Sequence, residues 1–319
     1  PIQRVPFGKH YVMPLSQHIG VPAQAVVTAG ERVMRGQLIA EPGGFVSTGL
    51  HSPVTGTVRE IGDFRGVDGR FAPAIAIEAD AFATQQVDAG DGIDWEAMSL
   101  EEFIKAVQMA GIVGMGGAAF PAHVKLSVPD GVTIRHLLIN GAECEPYLTT
   151  DHRLMLERPE ALLEGAEIMR RKLGAEEIVI GIEANKPDAI ETIQKHIAPG
   201  DPVRVVPLKV KYPQGAEKMM IKSVFDVEVP AGQLPRDVGV NVNNVGTIVA
   251  IADYFLRGIP LIERVVTVAG PGVTYPANLI VPLGTPVRDV VKFCGGLKPG
   301  TREMIMGGPM MGRPIASLD

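Results

Sequence analysis

The sequence predicts an α/β protein in three parts, and three observations carry that prediction. Residues 20 to 88 hold short β-prone runs punctuated by glycine. Residues 132 to 210 alternate apolar strands with helix-period segments, and the chain beyond residue 260 is β-rich with one short helix. At 319 residues the chain exceeds one ordinary core, and we divide it into 1–90, 91–260 and 261–319. Abundant glycine (37) and proline (26) favour many short strands and turns over long helices.

Charge and composition remove several function classes. Thirty basic against thirty-six acidic residues give a formal charge of -6, with no Lys/Arg block, so no nucleic-acid footprint is expected. No apolar run is long enough to span a bilayer and no signal peptide opens the chain, so membrane contact is expected only through partners. Cys144 and Cys294 are the only cysteines and form no CxxC, which excludes a disulfide framework or a cysteine-ligated cluster within the chain and fits a reducing compartment. The chain opens at Pro1, and we expect it to be a piece of a longer protein.

The elements follow in order. Strands are expected around residues 25–28, 30–41, 52–62 and 71–80, with Gly30, Gly36 and Gly56 at turns. A polar linker, DAGDGID, covers 88–94. Ser99 and Glu102 have capping-box spacing, and Leu100, Phe103, Ile104 and Val107 fall on one face of the helix they open, which ends at Gly111. VTIRHLLIN reads as a strand; a helix from Pro159 to Leu173 carries Arg170, Arg171 and Lys172 in its last turn and Gly174 past its end. The strand EIVIGIE, a helix from Pro187 to His196 and the strand PVRVVPLKV come next, each strand apolar enough to be covered on both faces. VGVNVNNVG leads into a helix ending near Gly258. The final unit runs RVVTVAG, the turn PGVTYPANLIVPLG, a helix with Thr285 as N-cap and Pro286 at N1, and the strand EMIMGGPMMG, an order that suits a β-grasp module.

Four stretches carry candidate chemistry. GIVGMGGAAFPAHVKL, 111–126, is backbone with little side chain: Gly114, Gly116 and Gly117 can present N–H groups to a phosphate, Lys125 a positive charge and Phe120 a stacking ring. It matches neither the Rossmann GxGxxG position nor a P-loop ending, and a purely structural loop is an equal reading of the residues alone. NGAECEPY, 140–147, puts Asn140, Glu143 and Glu145 just after a strand, where α/β folds bind ligands, although paired acids are commonly just solvated. Cys144 has no His or Cys at matching spacing and is not taken as a nucleophile. YPQGAEKMM, 212–220, offers Tyr212 and Glu217 after the third strand, or a plain turn; Asn243 and Asn244 stand at a strand-to-helix junction, where one can serve only as an N-cap. The Met-rich GGPMMG is read as packing, and no metal site is expected.

Two resemblances add to this reading. The halves VVTAGERVMRGQLIAE and HSPVTGTVREI resemble a lipoyl-type barrel-sandwich hybrid, but EPGGFVSTGL between them lacks the carrier lysine, so a structural barrel is expected. GMGGAAFP with Lys125, NGAECEP, YPQGAEK and NNVGT, in this order, resemble the RnfC family of the Rnf ion-translocating electron-transport complex and the related flavin-binding subunit of respiratory complex I. That resemblance implies a Rossmann-like central domain binding FMN and NADH and an SLBB-like β-grasp end. It also implies a peripheral place on the cytoplasmic face of a bacterial inner-membrane complex, with other subunits as partners.

By the same resemblance, Gly114, Gly116, Gly117 and Lys125 hold FMN, with Asn140, Asn243 and Asn244 hydrogen-bonding it. Phe120 stacks on the NADH adenine, Glu145 and Glu217 face the dinucleotide, Tyr212 sits beside the flavin, and Glu143 counts among the cofactor-binding residues. Hydride chemistry belongs to the cofactor, so no side chain is assigned as catalytic. The family's two 4Fe-4S clusters have no ligands in this chain. Met115 and Ala142 stand where the complex I pattern carries Arg and Asp, which removes charge from the site. The rival readings are a cobalamin-reductase flavoprotein of bacterial microcompartments and a docking module without ligands.

Overall fold

A computed structural model describes residues 1–87, 90, 92–129 and 131–318; Asp88, Ala89 and Asp91 of the expected linker lie outside the described residues. The first strand, β1 (Ile2–Arg4), precedes a barrel-sandwich of β2 (His10–Pro14), β3 (Gln24–Ala25), β4 (Arg32–Val33), β5 (Leu38–Glu41), β6 (Leu50–His51), β7 (Gly56–Arg65) and β8 (Phe71–Ala79). Two sheets, β2-β8-β7-β4 and β3-β5-β6, enclose Tyr11, Met13, Val33, Ile39, Ile75 and Ile77. Gly56 is not a turn glycine. It opens β7, where a Cβ would lie 2.2 Å from the Glu78 carbonyl oxygen, so only a residue without a side chain lets β7 approach β8.

The tip between β5 and β6, where a carrier would hold its lysine, is clamped to the central domain. Buried Gln108 donates through Nε2 to the carbonyls of Gly44, Phe45 and Ser47 at 3.1, 3.3 and 3.0 Å. His123 Nε2 lies 2.6 Å from the same Phe45 carbonyl. Replacing Gln108 with Ala strands these carbonyls, and urea unfolding should report a loss of about 2 kcal/mol.

The central elements are α1 (Leu100–Met109), α2 (Ala122–Leu126), β9 (His136–Gly141), α3 (Thr150–Glu157), α4 (Pro159–Leu173), β10 (Glu177–Glu183), α5 (Pro187–His196), β11 (Val203–Leu208), α6 (Glu217–Phe225), β12 (Val240–Asn244) and α7 (Val245–Arg257). The capping box forms as expected: Glu102 N–H donates to Ser99 Oγ at 3.2 Å and Ser99 N–H to Glu102 Oε2 at 2.7 Å. The four strands are parallel in the order β11-β10-β9-β12. Along β9 and β10, Leu137, Ile139, Ile178 and Ile180 join one core, while Leu138 and Val179 join another on the opposite face. Both faces are therefore covered, as a parallel sheet requires. The chain winds outward from β9 to β11 and then returns to β9's other side with β12. The β9–β12 boundary is thus the point where strand order reverses, the usual ligand crevice of such sheets.

The last unit holds β13 (Glu263–Val268), β14 (Ala277–Pro282), α8 (Val287–Phe293), β15 (Ile305–Met306) and β16 (Arg313–Pro314). Its sheet is completed by β1, which pairs parallel to β14. Three residues carry no periodicity to announce this; the register is held by Glu263, which takes Arg4 at 2.7 Å and, from the barrel, Arg35 at 2.6 Å. Thr285 does not cap α8. Pro286 occupies the N-cap position, and the Thr285 hydroxyl turns back to donate to the Pro282 carbonyl at 2.7 Å. Among the described residues no helix is long and apolar enough to cross a membrane.

Candidate functional site

The glycine loop lies across the β9–β12 reversal. Gly111, at φ +77°, turns the chain out of α1, and Gly114 N–H closes the loop on the Phe120 carbonyl at 2.7 Å. Met115 N–H donates to Thr247 Oγ1 at 3.0 Å, and that hydroxyl donates to the Val113 carbonyl at 3.2 Å, which stations the loop over the first turn of α7. Gly116 and Gly117 are exposed. A Cβ on Gly116 would meet Asn244 at 3.5 Å and one on Gly117 would meet nothing within 4 Å. The loop is bare at 116, where a side chain would fit, and at 117, where φ +144° favours glycine, and it faces the positive end of a helix dipole: a cradle suited to a phosphate-bearing ligand.

The remaining candidates divide into cradle walls and supports. Lys125, on α2, donates to the Val242 carbonyl at 3.2 Å and pairs with Glu217 at the start of α6. Asn140, across the register from Asn244, donates to the Gly215 carbonyl at 2.7 Å and accepts from Ala142 N–H at 3.0 Å, tying the 212–217 turn to β9. Asn243 is buried and donates to Asn241 Oδ1 at 2.5 Å, while Asn241 donates to the Lys125 carbonyl at 2.8 Å. Asn244 uses both ends of its amide: Oδ1 caps α7 through Gly246 N–H at 2.8 Å, and Nδ2 donates to Asp151 at 2.6 Å. Phe120 is half-buried at the end of the loop, and Tyr212 is exposed on its turn.

The two acids of the NGAECEP turn have separate tasks. Glu143 turns inward, accepts Asp151 and His152 N–H at 2.9 and 3.0 Å to cap α3, and pairs with buried Lys186 at 2.9 Å. Glu145 reaches the C-terminal module and accepts Met310 and Met311 N–H at 2.9 and 2.8 Å. A Cβ on Gly308 would lie 2.2 Å from that carboxylate, so GGPMMG is a turn shaped for a close carboxylate contact, as well as a Met-rich surface.

Asp151, Arg264 and Thr247 complete the site without having stood out in the sequence. Thr247 closes the NNVGT stretch, where the asparagines draw the attention. Asp151 lies in α3, a stretch to which the sequence alone assigns no element, and Arg264 arrives from another module with no local motif. Arg264 Nη2 donates to the Met115 carbonyl at 3.2 Å, so positive charge that Met115 lacks is returned from β13. Asp151 is buried, and desolvation followed by the neighbouring Glu143 carboxylate pushes it up to about 8, against the pull of Asn244, Lys186 and Arg264.

An acid raised in the folded state stabilises the fold fully below its unfolded value and loses that contribution as pH climbs through the folded one. Stability should therefore decline as pH rises from 3.8 towards about 8. Asp151→Asn keeps an acceptor for Asn244 and removes the charge, so urea midpoints across that window should flatten in the variant.

Comparisons with known proteins agree with this architecture. The family model described as RnfC barrel sandwich hybrid domain matches residues 1–82, the Nuo51 FMN-binding domain model 107–253, and the SLBB domain model 265–314. A subunit of the proton-translocating ferredoxin:NAD(+) oxidoreductase complex of Clostridium ljungdahlii is 44% identical over the whole chain, which covers 70% of that protein. The corresponding subunit of the Na(+)-translocating complex of Acetobacterium woodii is 40% identical over 96% of this chain and 70% of its own length. A subunit of the ion-translocating oxidoreductase complex of Pseudomonas aeruginosa is 40% identical over all of this chain, which spans 41% of it. Among solved structures, an NAD+-reducing [NiFe]-hydrogenase chain aligns with a TM-score of 0.53 at 25% identity, over 66% of this chain and 42% of that one.

Proposed function

The chain belongs to the RnfC family of ion-translocating oxidoreductase complex subunits, and on that premise we propose that it holds FMN at the strand reversal and takes electrons from NADH there. It is an oxidoreductase complex subunit with a Nuo51-type FMN-binding domain, and the relatives' names support this reading over a cobalamin reductase or a docking module. What carries the site assignment is the side-chain-poor loop seated on the N-terminus of α7, beside Lys125.

In this reading Gly114, Gly116 and Gly117 leave room for the phosphate and ribityl chain, and α7 and Lys125 oppose its negative charge. Asn140 and Asn244 hold the 212–217 turn and α7 as fixed walls, while Asn243 and Glu143 support them from below. Phe120 offers a face to the dinucleotide's adenine, Tyr212 lies beside the flavin, and Glu217 sets the orientation of Lys125. Glu145 fixes the GGPMMG turn at the nucleotide side. When bound, FMN supplies hydride acceptance and one-electron release; the protein binds, orients and excludes water without a side-chain acid or base.

The two cysteines of these residues cannot ligate the 4Fe-4S clusters that the family resemblance implies for onward transfer, and the other subunits of the complex are the partners. Docking would be peripheral, on the cytoplasmic face where NADH is available. Quenching of flavin fluorescence tests the site: a titration should saturate at one FMN per chain, and failure to saturate by about 1 mM would remove the assignment.

A further inference from the structure

A small cavity lies behind the glycine loop, where barrel, central domain and C-terminal module meet. It measures about 70 Å³ and is lined by Gln17, His18, Thr48 and Arg264, with Leu261 and Leu283 among its apolar walls. Gln17 Nε2, Thr48 Oγ1 and Arg264 Nε are each buried without a hydrogen-bond partner among the described residues. His18 adds no acceptor, because Nδ1 lies 3.2 Å from the Ile19 carbonyl and Nε2 takes the Thr48 N–H at 3.2 Å. Among the described residues no carboxylate lines the cavity.

Its walls therefore offer two N–H donors and a hydroxyl, and one donor belongs to a guanidinium that keeps its proton. Arg264 forms no ion pair among the described residues; its guanidinium bonds the neutral Met115 carbonyl at 3.2 Å. The acid acting on it through space is Asp151, which burial and Glu143 hold towards the protonated form. Arg264 is partly exposed, but its Nε is buried without a partner, and water alone would satisfy that N–H and leave the charge without a counter-ion. The space is that of a small anion with bound water and is far too small for a nucleotide.

We propose that this cavity is a halide site, in which a chloride-sized anion bridges Arg264 Nε, Gln17 Nε2 and Thr48 Oγ1 as counter-ion to the guanidinium. Arg264 also holds the Met115 carbonyl, so the bound anion ties the barrel tip and β13 to the back of the glycine loop. The site adjoins the glycine loop through Arg264, and its first test is run without FMN so that failure of this proposal and failure of the flavin reading are distinguishable.

Thermal unfolding of the chain without FMN, in chloride or bromide against gluconate at constant ionic strength, tests the site. The midpoint should climb with halide concentration, by a few degrees (~1–2 kcal/mol of linkage) at saturation. That climb should vanish in Thr48→Val/Gln17→Leu, whose substitutions keep the cavity's shape. Crystals soaked in bromide should give an anomalous peak within reach of Arg264 Nε. Equal midpoints in all anions, a climb that persists in the double variant, or a bromide peak only elsewhere would each overturn the proposal. So would loss of the halide effect on adding FMN, since the flavin phosphate would then be Arg264's counter-ion.

Discussion

Gly116→Asp should lose FMN binding while remaining folded. The new Cβ would sit 3.5 Å from Asn244, an ordinary contact, so the backbone has no reason to move and far-ultraviolet circular dichroism should be unchanged. The carboxylate would stand where the phosphate is expected, over the first turn of α7. Two like charges ~5 Å apart at an effective dielectric near 20 repel by about 3 kcal/mol, so affinity should fall by at least ~100-fold. A loop that is merely structural would accept the aspartate without effect on any flavin measurement.

Lys125→Ala should have a comparable effect by a different route. Lys125 is only partly buried, and its value lies in where it points: it joins the Val242 carbonyl, near the end of β12, to the Glu217 carboxylate. Removing it takes away the cradle's cation and leaves Glu217 unpaired beside an anionic ligand. Loss of a charge-assisted hydrogen bond costs about 1.5–3 kcal/mol, so a 10- to ~100-fold weakening of FMN binding is expected. Lys125→Ala/Glu217→Gln should recover part of that loss, because it removes the repulsion and not the missing attraction. If the double variant binds no better than Lys125→Ala, the pair does not act at the flavin.

The sequence was most readable where a local signal has one physical meaning. Ser99 with Glu102 means a capped helix, Gly174 past a basic last turn means a helix end, and both stand in the structure at φ/ψ values that fit. Alternating apolar strands and helices likewise announced the parallel sheet, because burial on both faces leaves an unbroken run of Ile, Val and Leu. NGAECEP, YPQGAEK and NNVGT stand at the ends of β9, β11 and β12, so the parallel order brings them to one end of the sheet, where the glycine loop, which follows α1, also lies.

Contacts made by single residues far apart in sequence were illegible. Nothing local in IQR announces a strand that pairs with residues 278–280, and nothing in ERVV announces that Arg264 will hold the glycine loop. The individual duties of neighbouring acids were equally hidden. Glu143 and Glu145 are two residues apart, yet one caps α3 from within and the other fastens a turn of the C-terminal module. Asn244 likewise combines the expected N-cap with a bond to Asp151, a partner supplied by a helix that sequence pattern did not reveal.

Whether NADH reaches a flavin at this strand reversal is decided by anaerobic titration of the FMN-loaded chain with NADH, followed in the flavin's visible absorbance. Bleaching is expected at one NADH per flavin, with recovery on admitting oxygen and no bleaching in a Gly116→Asp preparation supplied with the same FMN. A saturably bound flavin that keeps its full absorbance in excess NADH would contradict the assignment of this crevice as the site of hydride entry.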